Sequence, residues 1–365
     1  MILTISSKIL DYKVISSSID QLNAMIMADI ESFYIIDSEI IRIYKNDICF
    51  EKLHRCISFP ANEKNKTLSF SNKLINELLN LGIKRNSRVI CIGGGITQDV
   101  CGFVASILFR GVQWQFIPTT LLSQVDSCVG GKTSLNFNKY KNIIGSFYPP
   151  QKIHMIPKFI LTLNNRDYYS GLGELVKLHV IGGEERIHQI VTKNVEITER
   201  DLPTLENFIY DSLRIKIEYI QYDEFDQGKR VILNYGHTFG HALETGANYH
   251  IPHGQAVIFG MIFANIISTN RNKLSKSYFD FLNYKLFFPY LLSKIDFNKI
   301  SPDYLVKCIR LDKKQTNKNI TMVLLSEKYG LNIDKDITEL EVMVALQALQ
   351  DLYHSNSHIP KIQGG

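Results

Sequence analysis

The sequence has no CxxC pair and no cysteine framework: its six cysteines stand singly at 49, 56, 91, 101, 128 and 308. That argues against structural disulfides and thiolate zinc, and a reducing cytoplasm is the expected compartment. No block of basic residues exists either. Lysine plus arginine number 41 against 36 aspartate plus glutamate, a surplus too small and too dispersed for a nucleic-acid partner. No apolar run is long enough for a membrane. The longest, "AVIFGMIFANII" from Ala256 to Ile267, falls short of the ~20 residues a bilayer needs and reads as a buried helix. The N-terminal "MILTISSKILDYK" lacks a basic region leading into an apolar stretch, so no signal peptide is expected. Internal repeats are absent too. What remains is a globular chain of 365 residues, 45% hydrophobic and 21% charged, long enough for two domains.

Up to about residue 165 the pattern alternates short β-branched runs with helical segments. "FYIIDS" (33–38) reads as a strand ending in an acidic turn, and "RVICIGGG" (88–95) as a buried strand running into glycines. "WQFIPTT" (114–120) reads as another strand, and residues 66–87 carry Leu74, Ile75, Leu78 and Leu79 at helical spacing. Strand, helix, strand with glycines at a strand's carboxyl end predicts a parallel α/β sheet. Beyond about residue 170 long helical patterns dominate. The expected organisation is an α/β domain over 1–165 and an all-α domain over 166–365, with ligands in the cleft between them.

Four groups of residues carry chemistry. In "CIGGGITQDVCGF", Gly93, Gly94 and Gly95 end a strand, where glycines let the backbone approach a phosphate at a helix start; a tight turn is the plainer reading. In "NYGHTFGHALET", His237 and His241 share one helix face, and His253 follows sixteen residues after His237. That spacing suits a metal site completed by a carboxylate, and does not decide which of His237 and His241 is the ligand. In "SGLGELVK", Glu174 and Lys177 are one turn apart, which by itself reads as a solvated ion pair. Finally, Arg110, Lys132, Lys141, Lys177, Lys216, Arg230 and Lys313-Lys314 lie outside any charge run, an arrangement that a multiply charged small anion would explain. The stretch "VDSCVGGKTSLNFNKYKNIIGSFYPP" (125–150) gathers several such donors on what reads as flexible backbone.

These residues resemble a family. "GGGITQDVCGF", "RGVQWQFIPTTLLSQVDSCVGGKTSLN", "KNIIGSFYPP", "GLGELVK", "LNYGHTFGHALE" and "HGQAV" are similar, in order and spacing, to the motifs of the 3-dehydroquinate synthases among the sugar-phosphate cyclases. The resemblance spans roughly residues 33 to 330. It implies a Rossmann-like NAD-binding α/β domain, then a helical metal-binding domain, in a cytoplasmic homodimer. It implies zinc (or cobalt) on Glu174, His237 and His253, with His241 as an active-site donor. Asp37, Glu63, Lys66, Gly94, Gly95, Asp99, Thr119, Thr120, Asp126, Lys141 and Thr162 would line NAD. Lys132, Asn142, Lys177, Lys216, Arg230, Asn234, His241 and Lys314 (or Lys313) would hold substrate, and Arg110 would reach the phosphate in the partner's site. The implied lyase reaction turns 3-deoxy-D-arabino-heptulosonate 7-phosphate into 3-dehydroquinate and phosphate, by transient NAD-dependent oxidation, phosphate elimination, re-reduction and aldol closure.

The chain departs from that pattern in places. Ser134-Leu135 stands where Gly-Val is expected, Gln255 where glutamate is usual, Gly173 where alanine is common, and the triplet Ile96–Gln98 is unusual. Two other readings compete: a cyclase making an amino-dehydroquinate, a valiolone or a deoxy-scyllo-inosose, and a metal-dependent polyol dehydrogenase. The residues at issue between the cyclases are Lys216 and Arg230, which would meet a substrate carboxylate. Read locally, Lys216 lies on a solvated helix face and Arg230 in a charged loop.

Overall fold

The computed structural model describes residues 1–138, 140–292, 295, 300–311, 319–328 and 330–354. It divides into two units, Met1–Leu163 and Asn164–Gly365. The break falls two residues before the expected one, because Asn164 caps the first helix of the second unit by accepting from the Asp167 amide at 2.9 Å.

Among the described residues the first unit holds nine strands: β1 (Ile2–Ile5), β2 (Tyr12–Ser16), β3 (Phe33–Asp37), β4 (Cys56–Phe59), β5 (Arg88–Gly93), β6 (Gln113–Pro118), β7 (Lys132–Phe137), β8 (Tyr140–Phe147) and β9 (Lys152–Met155). Seven form one sheet in the order β1-β2-β9-β6-β5-β3-β4, parallel except for the pairing of β1 with β2. The central strands β3, β5 and β6 are apolar on both faces and almost wholly buried, as a sheet covered on both sides requires. Its helices are α1 (Ile19–Ala28), α2 (Ser38–Ile43), α3 (Leu68–Asn80) and α4 (Gly95–Ile107). Ile19, Leu22 and Ile26 of α1 pack with Ile36, Ile92 and Ile117 of the sheet.

Chain order explains where this unit can bind a ligand. From β3 the chain passes through α2 to β4 on one side, then returns through α3 to β5 on the other side of β3. The connections after β3 and β5 therefore diverge, and the crevice lies at the carboxyl ends of those two strands. Asp37, Gly94 and Thr119 follow from the ends of β3, β5 and β6 at that edge.

One expectation for this unit fails. The stretch around Lys132 and Asn142 is not loose backbone but an antiparallel hairpin, β7 with β8, pairing Lys132 with Phe147 and Ser134 with Gly145. Thr133 and Leu135 alternate inward and are buried, the period-2 signal of a half-covered ribbon.

The second unit contains α5 (Asn165–Ile181), α6 (Glu184–Thr192), α7 (Asn194–Thr198), α8 (Leu202–Tyr222), α9 (His237–Gly246), α10 (His253–Asn270), α11 (Lys276–Phe281), α12 (Pro302–Leu311) and α13 (Glu339–His354). The unit is helical, as expected, with one two-stranded addition. A hairpin, β10 (Ile320–Ser326) with β11 (Gly330–Ile337), packs its buried strand against α10. β10 is a continuous apolar run, which periodicity alone does not separate from a helix segment. The centre of the unit is α10, apolar all round, with Ala256–Ile267 buried. Among the described residues no helix is long and apolar enough to cross a membrane.

Candidate active site

Two glycine crossings on α10 assemble the second unit's polar centre. Gly254 meets α5 so closely that a Cβ on it would lie 1.8 Å from the Ser170 carbonyl oxygen. Six residues on, a Cβ on Gly260 would lie 1.8 Å from the Gly236 oxygen at the start of α9. Gly236 itself has φ +77° and caps α9 in the left-handed conformation, which an L side chain resists. These contacts bring together Glu174 from α5 and the first residues of α9 and α10, His237 and His253.

Glu174 is fully buried. Its Oε1 lies 3.1 Å from His253 Nε2 and 3.5 Å from His237 Nε2, and Oε2 is approached by Lys177 Nζ. Neither oxygen makes a well-formed hydrogen bond among the described residues. Each imidazole is held from behind: His237 Nδ1 is 3.2 Å from the Tyr235 carbonyl and His253 Nδ1 is 3.0 Å from Glu244 Oε2. Both partners only accept, so Nδ1 donates, and Nε2, on the Glu174 side of each ring, is the nitrogen that could give its lone pair to a cation once it is deprotonated. Burial disfavours the imidazolium of His253, but Glu244 and Glu174 outweigh it and push its pKa up to about 10. A negative potential of that size, with one buried carboxylate oxygen and two oriented nitrogens, fits a divalent cation. Glu174, His237 and His253 form one ligand-competent group; His241 falls in a second, with Glu244 and His253.

Glu244 has no role in the sequence reading. Its signal was available: it lies one turn beyond His241 and two beyond His237 on the same helix.

The buried cations correct three local readings. Lys177 is 2% exposed and Lys216 7%, so neither is solvated, and Arg230 is 3% exposed rather than in an open loop. Lys216 continues the apolar stripe Ile209, Leu213, Ile220 on α8, a 4-3-4 spacing that places it inward. Arg230 is pinned by Asp223 Oδ2, which accepts its backbone N–H at 3.0 Å, and its guanidinium donates to the Glu224 carbonyl. Asn234 ends the same short helical segment, Lys229–Asn234, which packs against α8. Gln255 is also explained. Its amide donates to the carbonyls of Tyr169 (3.0 Å) and Tyr290 (2.9 Å) and accepts from the Leu292 N–H (2.6 Å), tying three backbone segments together. Lys313 and Lys314 lie outside the described residues.

In the first unit, five of the residues expected at NAD, Asp37, Gly94, Gly95, Thr119 and Thr120, stand at the carboxyl ends of β3, β5 and β6, and the others lie on neighbouring loops, helices and the β7–β8 hairpin. Asp37 caps α2, accepting from the Glu39 and Ala61 amides at 3.1 and 3.4 Å; burial raises its pKa against those bonds. Gly94 caps α4, and a Cβ there would come 2.8 Å from Thr120 Cγ2, so the turn stays open to a phosphate only without a side chain. Gly95 begins α4, Thr119 N bonds the Gly93 carbonyl at 3.0 Å, and Thr120 Oγ1 donates to Ser123 Oγ at 2.9 Å. Gln98 exchanges two 2.7 Å bonds with Ser127, fastening α4 to the helical turn that carries Asp126. Lys66 Nζ reaches Asp99 Oδ2 at 2.5 Å and Asn142 Oδ1 at 2.6 Å. Glu63 Oε1 accepts from Asn136 at 2.8 Å and stands 3.5 Å from Lys141 Nζ. Lys132 is exposed at the start of β7, and Arg110 is exposed at a left-handed φ of +66° beyond α4. Thr162 Oγ1 is bonded to the Tyr44 hydroxyl at 2.9 Å.

Comparison with known proteins decides the family. The description "3-dehydroquinate synthase N-terminal" matches residues 56–170, and "3-dehydroquinate synthase C-terminal" matches 171–315. The chain belongs to the 3-dehydroquinate synthase family. The 3-dehydroquinate synthase of Thermoanaerobacter pseudethanolicus is 34% identical over 325 residues, covering 84% of this chain and 88% of that protein. In fold, the chain is similar to 2-epi-5-epi-valiolone synthase from Streptomyces hygroscopicus, solved with NAD⁺ and Zn²⁺: TM-score 0.85, 21% identity, 95% of this chain and 99% of that one. A 2-deoxy-scyllo-inosose synthase complexed with carbaglucose-6-phosphate, NAD⁺ and Co²⁺ gives TM-score 0.80 at 24% identity, with the same coverage. Family membership thus rests on sequence, and the two solved cyclases share the architecture.

Proposed function

We propose that this protein is a 3-dehydroquinate synthase, converting 3-deoxy-D-arabino-heptulosonate 7-phosphate to 3-dehydroquinate and phosphate in the shikimate route to aromatic amino acids. The observation that carries the reading is the pair of imidazoles presenting Nε2 to one buried carboxylate, Glu174, in a chain of this family. Glu174, His237 and His253 would hold Zn²⁺ or Co²⁺, which lowers the pKa of a hydroxyl bound to it. Residues at the carboxyl ends of β3, β5 and β6 would hold NAD, which would supply a reversible hydride acceptor.

The chain's own residues do the rest. Lys132, Asn142, Lys177, Asn234, His241 and Lys314 would orient the hydroxyls and phosphate, and Lys216 with Arg230 would take the carboxylate. Arg110, exposed on its turn, would complete the phosphate site of a second copy in a homodimer. Lys177 also steadies Glu174 through its contact with Oε2. Two cations withdrawn from water at 216 and 230 favour a carboxylated substrate over the neutral-ended sugar phosphates of other cyclases. Six free thiols suit a reducing cytoplasm.

Incubation with the heptulosonate phosphate, NAD⁺ and Zn²⁺ tests the proposal. Phosphate and 3-dehydroquinate should appear in equal amounts, over many turnovers, with no accumulation of NADH. NADH growing in step with product would point to the polyol dehydrogenase reading instead.

A further inference from the structure

Asp99, Lys66, Asn142 and Ser134 close a ring of polar contacts. Asp99 Oδ2 meets Lys66 Nζ at 2.5 Å, and Asp99 Oδ1 accepts the backbone N–H of Ser134 at 2.9 Å. On the far side, Asn142 Oδ1 lies 2.6 Å from the same Lys66 Nζ and 3.0 Å from Ser134 Oγ. An ammonium has no acceptor, so the Asn142 atom beside it must be the oxygen, and the carboxamide has one orientation. Ser134 Oγ must then donate to that oxygen. With both lone pairs of Oδ1 engaged, the amide nitrogen is the end of the side chain that addresses an acceptor.

The backbone supports this ring. Asn142 has φ +55°, a left-handed conformation, and its N–H donates to Asn136 Oδ1 at 3.1 Å, while Asn136 Nδ2 donates to Glu63 Oε1 at 2.8 Å. The β7–β8 hairpin is therefore pinned to α4 through Asp99 and to the Glu63–Lys66 loop through Asn136 and Asn142. Ser134 sits where the two attachments meet, its N–H serving one and its hydroxyl the other.

We infer that Ser134 is a positioning residue: its hydroxyl, with Lys66, fixes the Asn142 carboxamide so that Nδ2 is offered to an oxygen of the substrate. This rests on the proposed substrate role of Asn142. A glycine at 134 keeps the bond to Asp99 but removes the hydroxyl that donates to Asn142 Oδ1. In this chain the serine hydroxyl supplies the second anchor, and it ties the NAD-side pair, Lys66 and Asp99, to a substrate-side group.

The test uses Ser134→Ala and Ser134→Gly, which delete the hydroxyl and retain the N–H, and Ser134→Thr, which retains both. The Ala and Gly variants should raise KM for the heptulosonate phosphate about fivefold with kcat within about twofold, and the Thr variant should stay near wild type. A second readout does not depend on turnover. The side-chain amide resonance of Asn142, identified by its loss in Asn142→Ala, should move in NAD-loaded Ser134→Ala and return in Ser134→Thr. An unmoved resonance in Ser134→Ala overturns the inference. So does a moved resonance with unchanged KM in both Ala and Gly variants. If the wild-type protein fails to turn over the heptulosonate phosphate, the proposed function falls, and the resonance still decides whether Ser134 positions Asn142.

Discussion

Gly173 of α5 and Gly254 of α10 pack backbone to backbone: a Cβ on Gly173 would stand 2.1 Å from the Gly254 carbonyl oxygen. Each glycine is the immediate neighbour of a ligand-competent residue, Glu174 and His253. Gly173→Ala therefore cannot be absorbed locally, and the two helices must separate. Thermal melting should show a loss of about 1–3 kcal/mol. Zinc retained after gel filtration should fall with it, because Glu174 and His253 move apart.

Metal content discriminates the histidines. Glu174→Ala, His237→Ala and His253→Ala should each lose stoichiometric zinc, and chelation of the wild type should abolish activity until zinc is restored. His241→Ala should keep its zinc and lose most of its turnover. Glu244→Gln should weaken zinc binding by about 10- to 100-fold, since it removes the carboxylate behind His253. Loss of zinc from His241→Ala with retention in His237→Ala would reverse the two assignments.

Restoring the usual glutamate at 255 should harm this chain. A carboxylate cannot donate to the carbonyls of Tyr169 and Tyr290, both of which Gln255 now satisfies. Urea unfolding of Gln255→Glu should report a loss of about 1–3 kcal/mol, and the folded fraction should still bind zinc.

Lys216→Met and Arg230→Met should each lower kcat/KM for the heptulosonate phosphate about ten- to hundredfold if they grip its carboxylate. Sedoheptulose 7-phosphate, which lacks that charge, should be a poor substrate for the wild type. Comparable turnover of the two sugars would count against the 3-dehydroquinate synthase reading.

One acid-sensitive contact lies far from this chemistry. Arg271 donates to Glu341 Oε1 at 2.6 Å and Oε2 at 3.0 Å, and holds its pKa down to about 2, below the ordinary 4.5. The folded state therefore prefers the carboxylate. The stabilisation is present above pH 4.5 and is lost as pH falls from there toward 2. Melting temperatures measured from pH 6 to pH 3 should fall less steeply for Arg271→Met than for the wild type.

Much of this was legible in the chain. The buried strands β3, β5 and β6 announce themselves because parallel strands covered on both faces are continuous apolar runs, and the glycines after β5 mark the turn into α4. Ordered motifs identify the family, since a run of short signatures at fixed spacing survives where overall identity is modest. The four-residue step from His237 to His241 says that both share a helix face. Local periodicity could not say more than that. Which histidine meets Glu174 was decided by where α9 and α10 cross, at Gly236 and Gly260. Lys177, Lys216 and Arg230 read as solvated because charge dominates a local window, whereas burial depends on what packs over it. Glu244 behind His253, Gln255 across three carbonyl and amide groups, and Ser134 between Asp99 and Asn142 all join residues of different secondary-structure elements. Hydrogen bonds of that kind depend on separations of about 3 Å, and only the tertiary structure sets those distances.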